Sequence, residues 1–248
     1  MKILLNTLIE PKSGRLHRTY RGKVQGWAFS EDYILMIQAC LELFAITGKK
    51  SYLEQGIKFQ TIIDEFFWDE QKFGYFFTSS QQTDSIVREK PVVTFSITNA
   101  NSVALDNLIR LYHYTGEQMY IEKADKQAGF ILGWFNEHGI ANGESLLALS
   151  LYKNKPTEVI VFEEKDLFPD DNIKDYLTSE YIPEILYLKL TRENFNELSS
   201  IPMVQARLDK SDEYPFKEKT AYICKDLTCS VPLKNGTEMD IYLQQSLN

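Results

Sequence analysis

Apolar residues recur at helical spacing through much of the first 155 residues. After Ser30, read as an N-cap with Glu31 and Asp32 in the first turn, Tyr33, Ile34, Ile37, Leu41 and Phe44 fall on one face, and Thr47-Gly48 ends the run. A second helix follows, carrying Tyr52, Leu53, Ile57, Phe59, Ile63, Phe66 and Phe67. The same alternation of helix, Thr-Gly and helix returns over 101–115 and 119–137, and a shorter helix with Leu146, Leu147, Leu149 and Leu151 begins near Asn142. Between the two pairs, Phe73-Gly74-Tyr75-Phe76-Phe77 predicts a small hairpin at a rim.

The two pairs are copies of one unit. Placing Thr47-Gly48 on Thr115-Gly116, a shift of 68 positions, also matches Leu43 with Leu111, Tyr52 with Tyr120, Glu54 with Glu122, Lys58 with Lys126, Ile63 with Ile131 and Phe67 with Phe135. A helical hairpin repeated at this period builds either a solenoid or a closed α/α toroid, and the aromatic-rich second helices favour the toroid. From Thr157 the pattern changes to strand, helix and strand (158–162, 171–181 and 184–188), with a closing strand pair over 220–224 and 228–231. The expected organisation is mainly α: a helical-hairpin region, 1–155, forming part of an α/α toroid, with a small C-terminal α/β appendage, 156–248. Such a part-ring leaves the apolar flanks of its end hairpins open. The expected partner is a second copy or a chain carrying the missing half of the ring.

Composition narrows the function classes. The net charge is −8, and no cluster of Lys and Arg marks a nucleic-acid surface. No apolar run approaches the roughly 20 residues of a membrane span. The first ten residues do not read as a signal peptide, and Cys40, Cys224 and Cys229 are too few for a disulfide scaffold, so the expected setting is the cytoplasm.

The repeat also places candidate chemistry. Tyr33 aligns with Asn101, at the N-terminal ends of the first helices of successive hairpins, where a toroid opens to substrates. Asp32 and Glu31 are the candidate acid–base pair, or simply helix-capping acids; Trp27, Tyr33, Asn101, Asn142 and Glu144 are candidate carbohydrate contacts. Adjacent carboxylates cannot straddle a glycosidic bond, so hydrolysis would need a second acid such as Glu144 or Glu89. Asn101 reads equally as a ligand contact or as a cap of its own helix, and the aromatic residues as core. His17, His113 and His138 are poorly placed for the paired-histidine chemistry of a 2-epimerase. Cys224 and Cys229, on adjacent strands, are either buried free thiols or a redox pair, and no zinc set surrounds them. No motif calls for a cofactor or a metal.

Several stretches, in order, resemble one family. These are Glu31-Asp32-Tyr33, Phe66-Phe67-Trp68-Asp69-Glu70, Gly74-Tyr75-Phe76-Phe77-Thr78, Val87-Arg88-Glu89-Lys90-Pro91, Asn101-Ser102-Val103-Ala104 and Ala221-Tyr222-Ile223-Cys224-Lys225-Asp226-Leu227-Thr228-Cys229. Together they resemble the C-terminal region of the thioredoxin-domain-containing proteins related to spermatogenesis-associated protein 20. The resemblance implies a toroid of the six-hairpin glycosidase type, like that of sugar epimerases and glycoside hydrolases, without the family's N-terminal thioredoxin-like domain. It implies no established reaction. Where such relatives carry Asp-Gly-Ala-Ile-Pro-Ser-Gly-Asn-Ser, this chain reads Thr94 to Ser102 without the acid, which favours a non-catalytic ring segment over a sugar-processing one.

Overall fold

The computed structural model describes residues 1–83, 86–92, 98–138, 143–163, 184–208, 220–225, 228–234, 237–238 and 241–242. A short helix α1 (Lys2–Leu8) leads into a two-stranded antiparallel ribbon, β1 (His17–Tyr20) and β2 (Val24–Trp27). Then come the two hairpins, α2 (Ser30–Thr47) with α3 (Lys50–Phe66), and α4 (Ala100–Thr115) with α5 (Gln118–His138), followed by α6 (Gly143–Asn154). The remainder comprises β3 (Thr157–Glu163), β4 (Ile185–Thr191), α7 (Arg192–Leu198), α8 (Pro202–Leu208), β5 (Thr220–Lys225) and β6 (Thr228–Cys229). The rim hairpin reduces to a single bridge between Trp68 and Tyr75, closed by a tight loop in which Phe73 and Gly74 both take positive φ. The helix predicted over 171–181 lies outside the described residues.

The helices form two layers. The first helices of the hairpins, α2 and α4, pack on each other, and α4 packs in turn on α6; α3 and α5 lie outside them, each against its own hairpin mate. This inner-and-outer arrangement is that of an α/α toroid, of which the chain holds an arc. Ile34, Ile37 and Phe44 of α2 and Leu105, Leu108 and Leu111 of α4 are completely buried. Each such side chain contributes about 2 kcal/mol by leaving water. Among the described residues, no helix is long and apolar enough to cross a membrane.

The repeat holds down to single hydrogen bonds. Gly48 and Gly116 both adopt left-handed φ (61° and 72°), and their N–H groups donate to Phe44 O and Tyr112 O at 2.7 Å. Thr47 and Thr115 each bond back to the carbonyl four residues earlier, at 2.5 and 2.7 Å. These turns, at the C-terminal ends of the inner helices, meet the α/β part. A Cβ on Gly48 would strike Asn194 and Lys189, and one on Gly116 would strike Pro202.

The α/β part is one four-stranded sheet in the order β4-β3-β5-β6, with β3 and β4 parallel and the other pairs antiparallel. The parallel pair requires a crossover between its strands. One face, with Ile160, Phe162, Leu186, Leu188 and Leu190, joins the core of the helices; Val159, Val161, Ala221 and Ile223 form a second cluster on the other. The sheet thus closes one end of the helical arc and leaves the inner-helix N-termini at the other.

Candidate functional site

At the end away from the sheet, α2 starts from Phe29 rather than Ser30, which is buried as the first helical residue and donates its N–H to Phe77 O at 3.0 Å. Asp32 Oδ2 accepts the Phe29 N–H at 2.8 Å, half of a capping box. Glu31 points the other way and accepts from Arg18 Nη2 of β1 at 3.2 Å. Burial, and then the charge of Asp32, pushes the Glu31 carboxyl above its usual range. Tyr33 is a core residue; its hydroxyl oxygen accepts the Leu16 N–H at 2.8 Å, and its ring sits against Phe59 and Phe67. Trp27 is partly exposed, stacked on His17 at 4.5 Å with the Arg15 guanidinium also 4.5 Å from its ring centre.

The second copy is wired more densely. Asn99, not Asn101, caps α4, accepting the Ser102 N–H at 3.1 Å. Asn101 is buried and saturated. Its Oδ1 accepts from the Tyr75 N–H and from Gln127 Nε2, at 2.8 and 3.0 Å, and its Nδ2 donates to Tyr75 O and Pro91 O, at 3.1 and 3.0 Å. Tyr33 and Asn101, equivalent in the repeat, therefore do the same work: each holds a backbone N–H of the extended segment beside its helix. Glu144 Oε2 accepts the Asn99 N–H at 2.6 Å, and Ser145 meets Ser102 at 2.6 Å, tying α6 to α4. Tyr75 extends the network outward, donating its hydroxyl to Asp64 at 2.7 Å, where Lys123 also pairs at 3.0 Å. Burial pushes the Asp64 carboxyl up against the pull of Lys123. Asn142, Thr94 and the His138 side chain lie outside the described residues, and Glu89 is exposed.

A second cluster, not foreseen as a unit, sits at the seam between helices and sheet. Glu158 stands opposite Cys224, and Cys224 opposite Cys229, in one row across β3, β5 and β6. Cys224 and Cys229 are joined as a disulfide, whereas Cys40 is a buried free thiol, pushed by burial to about 11. Arg207 of α8, nearly fully buried, donates from Nε to Cys224 Sγ at 3.1 Å and from Nη2 to Glu158 Oε2 at 2.5 Å. His113 Nδ1 lies 2.8 Å from Glu158 Oε1. Burial alone would raise the Glu158 carboxyl, but the His113 bond and the Arg207 charge hold it below its usual range. The sequence signal for this cluster was Glu158 itself, a carboxylate directly before the apolar run Val159–Phe162. Among the described residues, no group of three or more His, Cys, Asp or Glu is placed to hold a metal ion.

No protein-family model matches the chain. Spermatogenesis-associated protein 20 of Homo sapiens is 26% identical over 253 residues, covering 96% of this chain and 31% of its own length. The chain is homologous to spermatogenesis-associated protein 20. The Rattus norvegicus spermatogenesis-associated protein 20 is likewise 26% identical, and an uncharacterised Caenorhabditis elegans protein is 29% identical over 221 residues, 86% of this chain and 28% of that one. The chain thus spans about a third of the length of the curated relatives it matches. Among solved structures, a cellobiose 2-epimerase from Bacillus thermoamylovorans B4167 aligns over 52% of this chain and 35% of the other, with a TM-score of 0.41 and 12% identity.

Proposed function

We propose that this chain is a non-catalytic ring segment: its hairpins complete an α/α toroid together with hairpins from outside residues 1–248, on a second copy or on a thioredoxin-bearing chain in the cytoplasm. One observation carries the reading. Each candidate acid at the end away from the sheet is committed to the protein itself, Asp32 to the Phe29 N–H, Glu144 to the Asn99 N–H and Glu31 to Arg18. A glycosidase cleft needs two carboxyls free to face a sugar from opposite sides. The exposed Leu146 and Leu147 of α6, at one end of the inner row, and Ile3 and Leu4 of α1, which packs on β1, add apolar surface for neighbouring hairpins to cover.

The acids test the reading. Asp32→Ala should lower unfolding free energy by about 1 kcal/mol, as loss of a cap does. Calorimetry should detect no binding of cellobiose or related disaccharides to the unaltered chain. Saturable sugar binding, abolished by Asp32→Ala without loss of stability, would return the acids to a catalytic or binding role.

A further inference from the structure

The Cys224–Cys229 pair stands apart from the ring-segment reading and is better equipped than a structural cross-link needs to be. The two sulfurs are not equivalent. Cys224 is buried, on the inner strand β5, with a guanidinium N–H 3.1 Å from its sulfur. Cys229 is partly exposed on β6, at the edge of the sheet. A guanidinium beside a sulfur stabilises the thiolate, and a better-stabilised thiolate leaves faster in exchange. Arg207 is positioned in turn by Glu158, and Glu158 by His113 of α4.

We propose that Cys224–Cys229 is a thiol–disulfide exchange site that accepts electrons from a dithiol reductant, with Cys229 the attacked sulfur and Cys224 the leaving group. In the first step, a thiolate of the reductant attacks Cys229 Sγ. A bond forms between those two sulfurs, the Cys224–Cys229 bond breaks, and its electron pair stays on Cys224 as a thiolate facing Arg207. In the second step, the other thiolate of the reductant attacks its own sulfur in the mixed disulfide and releases Cys229. The reductant ends as a disulfide, and this chain has gained two electrons. Cys229 takes up a proton, and the proton not needed by Cys224 passes to solvent. Arg207 is a positioning residue that makes the reduced state cheaper than it would be in an apolar site.

The experiment is a thiol count: the native protein is equilibrated in buffers of graded reduced-to-oxidised dithiothreitol ratio, quenched with acid, unfolded and alkylated, and its intact mass is read. The expected result is a single step between one and three alkylated thiols per chain, with Cys40 the constant one. Brief exposure of the oxidised protein to glutathione should leave glutathione on Cys229 and not on Cys224. Arg207→Gln should move the exchange equilibrium about tenfold towards the disulfide, and Arg207→Lys should restore most of it. A count fixed at one until the protein unfolds would make the bond a structural staple. A count fixed at three, or glutathione on Cys224, would equally overturn the proposal. The titration and the glutathione mapping need no variant, so they decide even if Arg207→Gln fails to fold.

Discussion

Asn101 and Glu158 show how single side chains set the two ends of this molecule. Asn101 spends its whole hydrogen-bonding capacity on Tyr75, Pro91 and Gln127, so it acts as a buried joint between a helix and two loop segments. Glu158 carries charge at the seam, shared between His113 and Arg207. Its folded pKa lies below the ordinary 4.5, so the stability it contributes is complete above that value and is lost as pH falls through the depressed folded one. Glu158→Gln should therefore cost about 3 kcal/mol near neutral pH, because Arg207 would be left buried without its counter-charge. The gap between the two proteins should narrow in urea unfolding series run below pH 4.5. A gap that does not change with pH would mean that the charge on Glu158 adds nothing.

At the scale of elements, the hairpin unit is the part the sequence made plain, because the repeat is local: apolar spacing, a Thr-Gly stop and a second amphipathic run all lie within one pair of helices. The glycines of those stops also work beyond their own turn, since each meets the α/β part. Gly48→Ala should cost more than the usual left-handed penalty of about 1 kcal/mol, because the added methyl would meet Lys189 O and the side chain of Asn194. Gly116→Ala should cost somewhat less, since its neighbour is the edge of the Pro202 ring. Equal and small losses in thermal melts would show that the turns do not press on the sheet. What the sequence hid was long-range. The β1–β2 ribbon is short and mostly exposed, so it has no apolar alternation to read. Whether Asp32 faces a ligand or its own backbone depended on where α2 began, and the buried start at Ser30 moved the cap to Phe29. Arg207 was invisible because its partners lie 17 and 49 positions away.

The described residues form an arc with the sheet at one end and the inner-helix N-termini at the other. The sheet caps the C-terminal ends of the inner helices, and the core runs on from helices to sheet through Leu186, Leu188 and Leu190. Among the described residues, the row α2, α4 and α6 ends at a helix with two exposed leucines, which is the surface the ring-segment account asks another hairpin to cover. Leu147→Glu should then disrupt assembly while lowering the melting temperature only slightly, because the side chain is already partly in water in the single chain. The most direct measurement is the absolute mass, by light scattering over a range of concentrations, of the protein purified under native conditions from its own cells. The account predicts an assembly of at least two chains. A particle with the mass of one covalent chain at every concentration would contradict it.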